Sequence, residues 1–144
     1  MTQAIASMRD GHAFQARQFC RKALHLLDRN TAIAKVAFER GPKGFDDIWV
    51  VDVLGRGYSD QQVRPLSRQH IQCKWHVNAG EYGYAQLSDP DFINASSTSL
   101  LQRARAAQLR FAPDGVGVRF TLLSNWRLAV ADPLAKAINQ RDGA

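Results

Sequence analysis

Cysteine is scarce in this 144-residue chain, which has only Cys20 and Cys73. Two thiols make no disulfide framework. Both sit inside apolar patterns and read as small core residues. Acid is also short, with thirteen Asp+Glu against nineteen Lys+Arg and a formal charge of +6. That imbalance favours a polyanionic partner, nucleic acid first. No apolar run approaches a membrane span. Met1 to Asp10 lacks the apolar core of a secretory signal. The expected setting is therefore the reducing cytoplasm, with no membrane partner. The chain has no Gly-x-Ser-x-Gly elbow and no phosphate-binding P-loop. Gly55-Arg56-Gly57 is too short for a phosphate cradle and reads as a turn. Internal repeats, low-complexity segments and internal linkers are missing too.

What is present suits a single domain spanning 1–144. The hydrophobic share of 45% and charged share of 22% are those of an ordinary globular chain. Ala16, Phe19, Cys20, Ala23, Leu24 and Leu27 recur at helical spacing, which predicts a helix from about Ala13 to Leu27. Ile33 to Arg40 reads as a strand, followed by the Gly41-Pro42-Lys43-Gly44 turn signal. Asp47 to Leu54 is rich in β-formers and apolar on both faces, hence a central strand. Gln69 to Val77 is a third strand. Asn78 to Ser97 reads as a long irregular stretch, a kind of loop that is usually functional or mobile. Ser99 to Phe111 is a second helix, with Leu100, Ala104, Ala107 and Phe111 on one side. Val116 to Ser124 is a fourth strand. Asp132-Pro133 opens a short last helix over Leu134 to Gln140. The expected fold class is α/β: an αβββαβ core with a central mixed sheet flanked by helices.

Two stretches carry the chemistry. Gly44-Phe45-Asp46-Asp47-Ile48-Trp49-Val50-Val51 puts a carboxylate at the mouth of an apolar strand. Ile71-Gln72-Cys73-Lys74-Trp75 puts an amide and an amine on one face of another, because residues i and i+2 share a face. Phosphodiester hydrolysis needs charge stabilisation on the phosphate and a water placed in line. A hard divalent cation supplies the first, and magnesium accepts a few oxygen ligands while keeping several waters. Asp47, the Gln72 side-chain oxygen and the Cys73 backbone carbonyl are the candidate metal ligands. Lys74 would orient the attacking water or neutralise phosphate charge. Gln15 on the first helix and Glu39 on the first strand are candidates to complete the shell. Gln72 brings no charge, so metal binding should be weaker than at a two-carboxylate site. Which of Asp46 and Asp47 binds metal stays open; Asp47 directly precedes the apolar strand and is preferred. Arg17, Arg103 and Arg110 are candidates for phosphate contact along DNA. His70, Cys73 and His76 recur every three residues, but on a strand Cys73 points away from the two histidines, against a zinc site.

The element order and these residues resemble the PD-(D/E)XK, or restriction-endonuclease-like, superfamily. The Gln-x-Lys variant is similar to its Mrr-like branch. Gly11 to Gln15, Phe45-Asp46-Asp47-Ile48 and Ile71-Gln72-Cys73-Lys74 look most like the double-stranded DNA endonuclease domain of CD-NTase-associated anti-phage effectors. The resemblance implies a bacterial defence hydrolase that cuts double-stranded DNA with Mg2+ or Mn2+. By it, Asp47 matches the metal-binding aspartate, Gln72 and Lys74 the third motif, and Gln15 the polar helix position. It also implies a longer protein, with a sensor or oligomerisation domain following this N-terminal part. A homo-oligomer is expected, since cutting both strands takes two sites or two visits. The rival expectation is a catalytically silent nuclease fold that only binds nucleic acid or a partner protein.

Overall fold

A computed structural model describes residues 2–53, 55–60 and 62–137. Helix α1 spans Thr2–Leu24 and ends in a 3-10 turn over His25–Leu27. Strands β1 (Ile33–Phe38), β2 (Ile48–Asp52) and β3 (Arg68–Lys74) follow. Next come β4 (Glu81–Tyr82), α2 (Tyr84–Ser88) and a 3-10 turn at Pro90–Ile93. Helix α3 (Leu100–Phe111), strands β5 (Val118–Ser124) and β6 (Arg127–Leu128), and helix α4 (Pro133–Ala137) complete the described chain. Residues 138–140, expected in the last helix, lie outside the described residues, as does Leu54.

The main sheet has four strands in the order β1-β2-β3-β5. β1, β2 and β3 form an antiparallel meander, and β5 joins β3 in parallel. A parallel neighbour needs a long crossover, which α3 and the segment before it supply. The expected αβββαβ order is therefore present as α1, β1, β2, β3, α3 and β5, around a mixed sheet. β2 is central as its double-sided apolar pattern requires: Ile48 and Val50 are fully buried.

Each face of the sheet has its own core. One buries Ile33, Ile48, Val50 and Ile71, with Phe19 of α1, Cys73 and Leu123 packed on them. The other buries Phe45, Leu87, Phe92 and Leu100, joined by Phe120, Leu122 and Trp126. This second core explains why 78–97 is not the irregular loop its composition suggests. Leu87 and Phe92 anchor it, and His76 stacks on Trp126 with ring centroids 3.8 Å apart. β4 pairs with β6 as a separate two-stranded sheet.

Helix α1 corrects two expectations. It starts at Thr2, well before the expected Ala13. Its buried face is also rotated from the expected stripe: Phe14, Gln15, Gln18, Phe19, Lys22 and Ala23 are half-buried, while Ala16, Cys20, Leu24 and Leu27 are exposed. Cys20 is thus no core residue. The large Phe19 ring sets the rotation by packing on the β-sheet core and edge-on to Phe38 at 5.2 Å. His70, between Phe111 and Phe120, and His76, against Trp126, are both committed to aromatic packing.

Candidate functional site

The antiparallel ladder pairs Ile48 with Ile71. Continuing it by one residue sets Asp47 opposite Gln72, at the end of β2. Asp47 Oδ2 accepts from the Cys73 backbone N–H at 2.6 Å and from Gln72 Nε2 at 2.7 Å. Both bonds fall on Oδ2, and among the described residues no donor reaches Oδ1. Gln72 Nε2 also lies 3.3 Å from the Cys73 carbonyl oxygen. Gln72 Oε1 is buried with no partner. An unpaired buried amide oxygen is costly in a purely structural role. The amide nitrogen, not this oxygen, faces the Asp47 carboxylate and the Cys73 carbonyl; turning the amide end for end would put Oε1 with them and complete a set of hard oxygen donors of the kind magnesium takes.

An open cavity of about 710 Å³ lies over this point. Asp46, Asp47, Gln72, Cys73 and Lys74 line it from the sheet side, Gln15 from α1 and Arg103 from α3. The rotation of α1 is what turns Gln15 inward. Asp46 Oδ1 accepts from the Gly44 N–H at 3.2 Å, so Asp46 fastens the turn while Asp47 is tied to β3.

Burial dominates the electrostatics. The Asp47 carboxyl is pushed up to about 6, chiefly by desolvation and further by Asp46 and Glu39; the Cys73 N–H and Lys74 pull the other way. Burial holds the Lys74 ammonium below the usual lysine range, and the Asp47 carboxylate opposes this. Acid and amine thus have protonation equilibria drawn toward neutrality, the condition under which side chains exchange protons with a reacting group.

The candidate residues divide clearly. Asp47, Gln72, Lys74, Gln15 and Arg103 meet at the cavity. Glu39, just beyond β1 with a φ of 50°, is exposed and does not line it, though its charge reaches Asp47. Arg17 is exposed on α1, and Arg110 lies over the Phe111 ring at 5.1 Å; neither lines the cavity. Sequence reasoning passed over His12 and Lys43, which do line it. His12 stands at one turn's spacing from Met8 and Gln15, a signal present in the sequence once the helix is extended N-terminally.

The fold and cavity together define a mixed α/β domain whose sheet end collects a carboxylate, an amide and a lysine. No family model matches the chain. Over its whole length it is similar to CD-NTase-associated protein 4 of Enterobacter hormaechei subsp. hoffmannii (strain UCI 50), with 29% identity over 149 aligned positions. The chain spans 28% of that protein's length.

Proposed function

We propose that this domain is a metal-dependent endonuclease that hydrolyses phosphodiester bonds of double-stranded DNA, as the effector part of a bacterial anti-phage defence protein. The observation that carries the reading is convergence: Asp47, Gln72, Lys74 and Gln15 come from three separated segments and line one cavity. The similarity to a CD-NTase-associated protein supports the defence setting. The basic excess of the chain suits a DNA substrate.

Asp47, the Cys73 carbonyl and, with its amide turned so that Oε1 takes the place of Nε2, Gln72 would hold Mg2+ or Mn2+. The bound cation would supply Lewis-acid stabilisation of the phosphate and acidify a water. Lys74 stands beside Asp47 to hold the attacking water or the phosphate oxygen. Water attacks phosphorus and gives up one proton to solvent or a cavity side chain, the P–O bond to the leaving nucleotide breaks, and the leaving oxygen takes a proton from solvent or a cavity side chain. Gln15, lining the cavity from α1, would orient the water or the phosphate by hydrogen bonding. Arg17 and Arg110, outside the cavity, are proposed for DNA backbone contacts further along the duplex.

A second reading has one observation in its favour. Among the described residues, no three His, Cys, Asp or Glu side chains gather to hold a metal. A nuclease fold of that kind can bind DNA without cutting it. Supercoiled plasmid incubated with Mg2+ or with EDTA separates the two. Nicking or linearisation in Mg2+ alone, reduced about 100-fold or more by Lys74→Ala, is the expected result. Plasmid bound but left supercoiled at every metal concentration would transfer the assignment to the binding module.

A further inference from the structure

Arg103 is an unusual cation. It lies in the first turn of α3, just after the Ser99 cap, where Ser99 and Gln102 already satisfy each other's backbone N–H groups. A positive charge at a helix N-terminus opposes the helix dipole. It stabilises no carboxylate either: among the described residues the one salt bridge joins Arg64 to Asp60. Its Nε is buried and has no hydrogen-bond partner, although Arg103 shares the cavity with Asp46 and Asp47. Its stem crosses Gly44, where a Cβ would sit 2.5 Å from Arg103 Cδ and where φ is +89°. The turn before Asp47 therefore needs glycine twice, for its left-handed backbone and to let the arginine pass. A side chain routed at such local cost, with its donor fork unspent, is built for an anion that arrives from outside.

We propose that Arg103 is the phosphate-gripping residue of the cavity, taking the non-bridging oxygens of one nucleic-acid backbone phosphate beside Lys74. The inference rests on reading the cavity as a nucleic-acid site. It assigns to a side chain part of the charge neutralisation that a second carboxylate-held metal would provide. Gln72 in place of a carboxylate lowers metal attraction, and Arg103 supplies fixed positive charge in the same cavity. Substrate binding is then largely metal-independent.

The test is duplex DNA binding in EDTA, by fluorescence anisotropy over a series of salt concentrations. Arg103→Met keeps the stem across Gly44 and removes the fork. It is expected to weaken binding about tenfold at low salt and to reduce the salt slope by about one. Arg103→Lys should keep the slope while losing affinity, because a lysine cannot match the bidentate geometry. Arg56→Met, beyond the opposite end of β2, removes the same charge and should leave the slope unchanged. A second arm titrates dimethyl phosphate into 15N-labelled wild type and follows the Arg103 Nε–H signal, identified by its absence in Arg103→Met. A saturable shift supports the proposal. An unmoved signal, or equal slopes for Arg103→Met and wild type, overturns it. Neither arm requires hydrolysis, so a wild type that binds but never cuts refutes the nuclease and leaves Arg103 standing. An active nuclease whose slope ignores Arg103→Met does the reverse.

Discussion

Asp47 is held at a cost to the fold. At neutral pH it is ionised although its pKa is raised to about 6, so its charge opposes folding there. Replacing it by Asn keeps an acceptor for the Cys73 N–H and removes the charge. Asp47→Asn is therefore expected to be more stable in EDTA at neutral pH, by about 1 kcal/mol once solvent screening of the half-buried carboxylate is allowed for, and to lose DNA cleavage. Urea denaturation beside the plasmid assay checks both. A destabilised Asp47→Asn would mean that the charged hydrogen bonds to Cys73 and Gln72 outweigh desolvation. At this scale much of the candidate site was legible. Alternation put Gln72 and Lys74 on one face, and the apolar run fixed Asp47 at the strand mouth. Arg103 was not separable from Arg17 and Arg110, because only the third dimension shows that Gly44 lets one arginine through.

Helix and strand placement was legible wherever a segment packs on the sheet by its own periodicity. β1, β2, β3, α3 and β5 all match their patterns to within a few residues. The segment after β3 was not, since its elements are short and rely on partners distant in sequence. Asp132 shows the reason. Its Oδ1 accepts from the Leu134 N–H at 2.9 Å, and its Oδ2 from the Tyr84 N–H at 3.1 Å. One carboxylate thus caps both α4, where the Asp-Pro signal announced it, and α2, where nothing local does. Gly83 is part of the arrangement, because a Cβ there would collide with the Asp132 carboxylate. Asp132→Ala is expected to cost about 2 kcal/mol, about 1 for each cap. Hydrogen exchange should show the loss of protection concentrated at the Tyr84 and Leu134 amides. A uniform loss across the sheet would indicate that the segment does not act as a local unit.

Across the whole molecule, acid acts through two opposed sets of buried groups. His70, 3% exposed between Phe111 and Phe120, has its pKa lowered to about 4 by burial and then by Arg68. Between about 4 and 6.5 the unfolded chain protonates this histidine and the folded one does not. Stability from this group is therefore lost as pH falls through that window, up to about 3 kcal/mol. His76, lowered by burial and Lys74, acts in the same sense. Asp47 acts oppositely: from about 6 down to 3.8 the folded state takes up the proton first, so acidification relieves its cost. Asp52, 5% exposed with both oxygens on Gln69 Nε2, is also raised by burial and adds to that side. The wild type is thus expected to show a shallow stability profile between pH 4 and 6.5, in which large contributions cancel. Single variants uncover them. Asp47→Asn leaves the histidines opposed by Asp52 alone, and its stability should fall on acidification more steeply than wild type. His70→Phe removes the main acid-sensitive group and should turn the slope the other way, whatever its absolute stability. Urea titrations at several pH values in EDTA read both slopes. If the two variants parallel wild type, neither group's folded-state proton affinity differs from its unfolded one, and the burial that defines the site would carry no electrostatic strain.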